Sequence, residues 1–340
     1  MARKTSYTAH TSWRFRYYMA LCASAWAAFA DPPSGYYDFA EGKIGPAMRQ
    51  ALHVIISPHR VIPYGLGLTN TTSALMKLDE DPSNTNNVIL LYARRSEPKA
   101  TFAQSNGWNR EHLWPNSYGI DSRPPSYSDL FNLRPEDANV NSARGNKFYD
   151  ESNLLDLNYR RPAHLEALLA STDTDSWEPP DEVKGDIARS IFYMAIRYTG
   201  RPTNEPALLV TDDLVQISGA TNLMGRLTTL LRWHMNDPVD EGERRRNDLI
   251  YLYYQGNRNP FVDRPEWVRP AFNPGLLVLR DGTGLKLRWP AEFVDAEVEN
   301  RNLFDTAWTV VPIVPVLKIN VWEASITFTQ QLSFYRLHLR

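Results

Sequence analysis

The stretch Gly107–Asn116 reads GWNREHLWPN, and after a Ser- and Pro-rich spacer Asp129–Asn146 reads DLFNLRPEDANVNSARGN. The first places a guanidinium, a carboxylate and an imidazole on consecutive residues, Arg110, Glu111 and His112, flanked by Trp108, Trp114 and Pro115. The second supplies Asn132, Asn139, Asn141 and Asn146 together with Arg134 and Arg144. Hydrolysis of a phosphodiester asks for three things. A base must take a proton from water, a hard cation must neutralise charge on the phosphate and the leaving oxygen, and arginines must hold the remaining oxygens. Histidine titrates near neutrality and suits the first role. Carboxylate and amide oxygens suit Mg²⁺, which keeps most of its waters and takes few protein ligands. The two segments contain each of these parts.

One geometric constraint accompanies this reading. Neighbours on a regular strand point to opposite faces. Glu111 and His112 therefore share a target only if the strand ends or distorts beside them, and Trp114-Pro115 is a plausible place for it to end.

Working outward, Ile44–Ile56 carries apolar residues at helical spacing, and Asn87–Ala93 (NVILLYA) reads as a short strand. Further helices are expected over Asp181–Tyr198, Asn222–Met235 and Glu241–Gln255, the last stopped by Gly256. Beyond Pro270–Pro274 the character changes. From Leu276 to Arg340 alternating and β-branched runs are separated by turn signals such as Asp281-Gly282-Thr283-Gly284, which predicts a small all-β module with Trp289 in its core.

The N-terminus reads as an export leader. Arg3, Lys4, Arg14 and Arg16 precede the apolar run Tyr17–Ala30, which closes on Ala28-Phe29-Ala30, and no acidic residue occurs before Asp31. The run is too short for a permanent membrane span. Its removal takes away Cys22, the single cysteine, and four positive charges, shifting the formal charge from −2 to −6. An acidic balance is unusual for a nucleic-acid binder, so any phosphate-binding surface has to be local. The exported chain would hold neither thiol nor disulfide, and packing or metal must stabilise it.

In its motifs the chain resembles the bacterial endonuclease I family, secreted nucleases built around a ββα-metal (His-Me) finger. The likeness runs over about Gly35–Val268 and is densest in WNREHLWPNS, in DLFNLRPEDANVNSARGN and in ERRRNDLIYLYYQGNRNPFVDRPEWV from Glu243. It implies an α+β fold: a leader over 1–30, a helix-rich nuclease domain over 31–272 with the finger inside it, and a β-rich accessory module over 276–340. It implies His112 as general base and Glu111 and Asn141 as ligands of one Mg²⁺, with Mn²⁺ or Ca²⁺ as substitutes. Arg110 and Arg144 would contact phosphate. Asn132 would brace the finger or touch the site, and Arg258 would lie where the third motif folds back toward it. Phe131 stands where the family often has histidine. The implied activity is endonucleolytic hydrolysis of DNA, with RNA as a further substrate, little sequence preference and 5′-phosphate products. The implied location is the periplasm or the medium, with no membrane span and no obligate protein partner.

His53, His59, His164 and His234 lack neighbouring acid and amide residues and read as packing or surface positions. Arg244-Arg245-Arg246 reads as a solvated helix face or, from its place in the third motif, as a DNA-facing or scaffold element. No His-x-x-x-His or Cys-x-x-Cys spacing supports a zinc hydrolase. A non-catalytic extracellular nucleic-acid-binding or adhesion protein on the same scaffold is the rival from another class, and the intact trio of Glu111, His112 and Asn141 argues against it.

Overall fold

The computed structural model describes residues 31–43, 45–65, 68–217, 222–272, 276–282, 284–290, 293–302, 306–318, 321–327 and 333–339. The expected leader, including Cys22, and the first residue of the expected helix at Ile44 lie outside them.

The chain is a mixed α+β structure that finishes in an all-β region. Helix α1 (Gly45–Ile56) buries Met48, Ala51, Leu52 and Ile56 on one face. Helix α2 (Thr71–Leu78) begins in a reciprocal cap: the Asn70 Oδ1 accepts from the Ser73 N–H at 3.0 Å, and the Ser73 Oγ accepts from the Asn70 N–H at 3.1 Å. Strands β1 (Glu80–Asp81), β2 (Asn84–Ile89) and β3 (Ser96–Pro98) form a three-stranded sheet. The strand expected over Asn87–Ala93 thus starts earlier and stops at Ile89. Beyond it the backbone turns away from the ladder. The Leu91 N–H donates to the Pro135 carbonyl and the Tyr92 N–H to the Glu136 Oε2.

Strand β4 (Trp108–His112) pairs antiparallel with β5 (Leu133–Asp137), with Glu111 opposite Arg134 and His112 opposite Leu133. The last residue of β5, Asp137, caps α3 (Ala138–Arg144) by accepting from the Asn139 and Val140 N–H groups. Strand, strand and helix therefore follow one another with β4 paired on one edge alone. Strands β6 (Phe148–Tyr149), β7 (Ser171–Thr172) and β8 (Ser176–Glu178) make a second small sheet.

Helix α4 (Lys184–Arg197) is buried nearly all round and packs on α1. Short parallel strands β9 (Leu209–Val210) and β10 (Leu223–Met224) precede α5 (Leu227–Asn236), which also packs on α4. Helix α5 starts later than the expected Asn222 because residues 223–224 are spent on that pairing. Helix α6 (Glu241–Leu249) continues into a wider turn over Ile250–Tyr254 and ends at Gly256, whose φ of 77° is the left-handed conformation glycine adopts most cheaply. Short helices α7 (Pro260–Asp263) and α8 (Val268–Phe272) follow.

The C-terminal strands are β11 (Leu277–Asp281), β12 (Gly284–Pro290), β13 (Ala296–Asn302), β14 (Thr309–Val310), β15 (Val316–Lys318), β16 (Val321–Thr327) and β17 (Ser333–Leu339). They form two sheets, in the orders β11-β12-β16-β15 and β14-β13-β17. Trp289 is buried, as are Leu287, Val298, Ala324 and Leu337. The run Trp308–Val316 yields only fragments of strand, because Pro312 and Pro315 bring no N–H to a ladder.

Candidate active site

Because β4 is regular through His112, its side chains sort strictly by parity. Arg110 and His112 share the face toward Tyr64 and α2, while Asn109 and Glu111 share the face toward α3.

On the first face, the His112 ring lies against Tyr127 at 4.8 Å and Tyr64 at 5.7 Å between centroids, close to parallel with both. Its Nε2 sits 3.0 Å from the Tyr127 carbonyl. A carbonyl only accepts, so Nε2 carries the proton and Nδ1 keeps a lone pair, which has no partner among the described residues. The ring stays partly exposed. Burial lowers its pKa to about 4, so the imidazole is neutral at pH 7. The Arg110 guanidinium lies over the Tyr64 ring, 3.6 Å from its centroid. Its Nη1 donates to the Tyr64 carbonyl and to Thr71 and Thr72, while Nε and Nη2 have no partner among the described residues.

On the second face, Glu111 is 2% exposed. Its Oε1 accepts from the Tyr92 hydroxyl at 2.7 Å and lies 3.1 Å from the Arg144 Nη1. The carboxylate also accepts a hydrogen bond from the His112 backbone N–H. Burial pushes the carboxyl pKa up, and the Arg144 charge pulls it back. Tyr92 in turn meets the Tyr149 hydroxyl at 2.6 Å, and the Arg144 guanidinium lies over the Tyr149 ring. Asn141 comes in from α3, and its Nδ2 donates to the Asn109 Oδ1 at 2.7 Å and to the Arg110 carbonyl at 3.2 Å. The amide is held by its nitrogen, which leaves Oδ1 without a partner among the described residues.

Helix α3 also closes the unpaired edge of β4. Asn141 takes the carbonyl of Arg110, and one turn later Arg144 takes those of His112 and Leu113 at 3.0 and 2.9 Å. Arg144, expected to contact phosphate, turns its Nη atoms to the protein interior in this structure. At 1% exposure its guanidinium is committed to Glu111 and to two main-chain carbonyls, which makes it a brace.

Asn132 is likewise a brace. Fully buried, it accepts from the Trp114 N–H at 2.7 Å and donates to the Trp114 carbonyl at 3.2 Å, fixing the chain just after β4. Arg258 makes its contacts within the third motif. It is buried in ion pairs with Asp248 and Asp263, at 2.6 and 2.7 Å. The third motif supports the second from behind: Gln255 takes the Leu130 N–H and donates to Asp129, and Arg246 donates to the Leu133 carbonyl and pairs with Asp79. Phe131 packs on Tyr193, 4.4 Å between centroids.

The residues that sequence reasoning missed are Tyr64, Tyr92, Asn109, Tyr127 and Tyr149. Asn109 carried a signal, since it shares the parity of Glu111 inside the quoted motif. Tyr127 acts through its main-chain carbonyl, which no residue type announces.

Among the described residues, no group of three or more His, Cys, Asp or Glu side chains surrounds a common point. An all-protein metal cage is therefore not what this site offers. One carboxylate and one amide, Glu111 and Asn141, are the kind of donors a hard cation that retains several waters takes.

The comparisons place the chain in a family. The family model described as Endonuclease I matches residues 45–266, and the chain belongs to that family and is a nuclease. An extracellular ribonuclease of Bacillus amyloliquefaciens is 46% identical over 234 residues, covering 68% of this chain and 76% of that protein. A second extracellular ribonuclease, from Bacillus subtilis (strain 168), is 44% identical over 252 residues, covering 73% of this chain and 81% of the relative.

Proposed function

We propose that this chain is an exported endonuclease that hydrolyses RNA and DNA with little base preference, using His112 as general base and one Mg²⁺ held by Glu111 and Asn141. The observation that carries the reading is the contact of the His112 Nε2 with the Tyr127 carbonyl, which leaves Nδ1 as the base on the same strand as Glu111, with Asn141 bonded to the strand from α3. The strand–strand–helix unit of β4, β5 and α3 then works as a ββα-metal finger. Glu111 and His112 leave β4 by opposite faces, and in this reading the substrate meets both where the strand ends after His112.

In the proposed reaction the His112 Nδ1 takes a proton from water as the water oxygen bonds to phosphorus. The bond from phosphorus to the 3′ oxygen breaks, and that oxygen takes a proton from solvent, leaving 5′-phosphate and 3′-hydroxyl ends. The unused Nε and Nη2 donors of Arg110 steady the non-bridging oxygens. When bound, the cation supplies charge neutralisation at the scissile phosphate and the leaving oxygen. Arg144 keeps Glu111 and the end of β4 in place. Because the attacking oxygen comes from water rather than from the ribose 2′-hydroxyl, the same site serves both nucleic acids. RNA stands first because both relatives are named extracellular ribonucleases. Contacts to backbone phosphates make cleavage strongly salt-dependent.

The relatives' names and the leader-like residues 1–30 support export. Residues 276–340 we take as an accessory β-module, beyond the family match that stops at 266. The test is cleavage of 5′-labelled RNA and DNA of one sequence, with and without Mg²⁺. His112→Ala should lower the rate by roughly 10²–10⁴-fold while substrate binding persists. Wild-type rates in that variant would sink the assignment.

A further inference from the structure

Two arginines flank the candidate site and are held by opposite chemistry. Arg144 is buried and paired with a carboxylate, Glu111. Arg110 is half-buried, and the groups that grip it are neutral. Its Nη1 donates to the Tyr64 carbonyl and to the hydroxyls of Thr71 and Thr72, at 3.0 and 3.3 Å for the two threonines. Its guanidinium lies 3.6 Å from the centroid of the Tyr64 ring and 5.4 Å from that of Phe102. Burial pulls its pKa below the usual value, and the phenols of Tyr64 and Tyr127, not a carboxylate, push it back. A carboxylate would fix this side chain but would also cancel its charge. A carbonyl, two hydroxyls and a π face fix it and leave the charge for an incoming anion.

Tyr64 supplies both the ring and the carbonyl, and the chain before α2 holds it in place. The Thr71 N–H donates to the Pro63 carbonyl at 2.9 Å and the Thr71 hydroxyl to the Tyr64 carbonyl at 3.2 Å, which ties residues 63 and 64 to the first turn of the helix that Asn70 caps. The same carbonyl then accepts from Arg110 while the ring faces the guanidinium. Burial holds the Tyr64 phenol well above its ordinary pKa, so this residue exchanges no proton in the reaction. His112 has its own support on this face. Its ring is nearer Tyr127 than Tyr64, at 4.8 against 5.7 Å, and its Nε2 is held by the Tyr127 carbonyl. The side chain that Tyr64 places is Arg110.

We propose that Tyr64 is a positioning residue of the nuclease reaction, fixing the uncompensated Arg110 guanidinium where the scissile phosphate arrives. The proposal rests on the reading of Arg110 as a phosphate contact. The test is cleavage of 5′-labelled RNA by Tyr64→Leu, Tyr64→Phe, Arg110→Ala and the double variant Tyr64→Leu, Arg110→Ala. Tyr64→Leu keeps the main-chain carbonyl and loses the ring, and its kcat/KM should fall about 10- to 100-fold. Tyr64→Phe should recover most of that loss. In the Arg110→Ala background Tyr64→Leu should cost less than about threefold, because the side chain through which it acts is gone. A merely structural tyrosine would impose the same factor on both backgrounds, and that result overturns the proposal. So does a Tyr64→Phe protein as slow as Tyr64→Leu. Arg110→Ala at the wild-type rate removes the phosphate contact and this role with it, whereas a harmless Tyr64→Leu beside an impaired Arg110→Ala removes this role alone.

Discussion

Asn141 commits its amide nitrogen twice, to Asn109 and to the Arg110 carbonyl, and this sets the direction of its oxygen. Groups that orient a metal ligand typically matter ten- to a hundredfold for affinity. Asn109→Ala should therefore raise the Mg²⁺ concentration for half-maximal cleavage about tenfold, with the rate at saturating Mg²⁺ little changed and Asn109→Asp restoring much of the loss. A titration with the wild-type midpoint would remove Asn109 from this role. Glu111, His112 and Asn141 could be proposed from the sequence because the chemistry asked of them resides in residue type and order. Arg144 was expected at phosphate and Arg258 near the site because residue type does not reveal whether a guanidinium is turned to internal carbonyls and carboxylates. That depends on α3 meeting the edge of β4 and on Asp248 and Asp263 converging on Arg258, and both are products of the tertiary fold.

At the scale of elements, the candidate site depends on where β4 stops, and Asn132 governs that point through both polar groups of the Trp114 backbone. Asn132→Ala would leave a buried N–H and carbonyl without partners, so unfolding in urea should show a loss of about 2 kcal/mol. An unchanged midpoint would show that the clamp carries no weight. The helices were largely readable because an apolar stripe at 3.6-residue spacing is a local signal. Short strands were not. Residues Leu91–Ala93 look like strand, yet their backbone N–H groups find partners at residues 135 and 136, a pairing that no local window contains. The start of α5 was misplaced for the same reason, since Leu223–Met224 pairs with a strand formed by residues 209 and 210.

For the whole molecule, buried histidines tie stability to acidity. The His234 Nε2 sits 3.0 Å from the Pro265 carbonyl with Arg189 on its other side, and burial lowers its pKa to about 4. An unfolded imidazole titrates near 6.5, so between pH 6.5 and 4 the unfolded chain binds a proton that the folded chain refuses. This contribution is complete above about pH 6.5 and is lost as the pH falls toward 4. It amounts to roughly 1–3 kcal/mol after allowance for the partial exposure of the ring. His234→Gln should flatten the fall in urea stability between pH 7 and pH 4.5, and an identical slope in both proteins would refute the linkage. The guanidinium that leans on Glu111 has a further consequence. The molecule carries its own counter-ion for the acid it buries, so that acid is tolerated whether or not a divalent guest has arrived. Domains whose fold is assembled by metal melt when it is stripped away. This nuclease should instead fall silent in chelator while its thermal midpoint moves by no more than about 2 °C, a folded enzyme waiting for its ion.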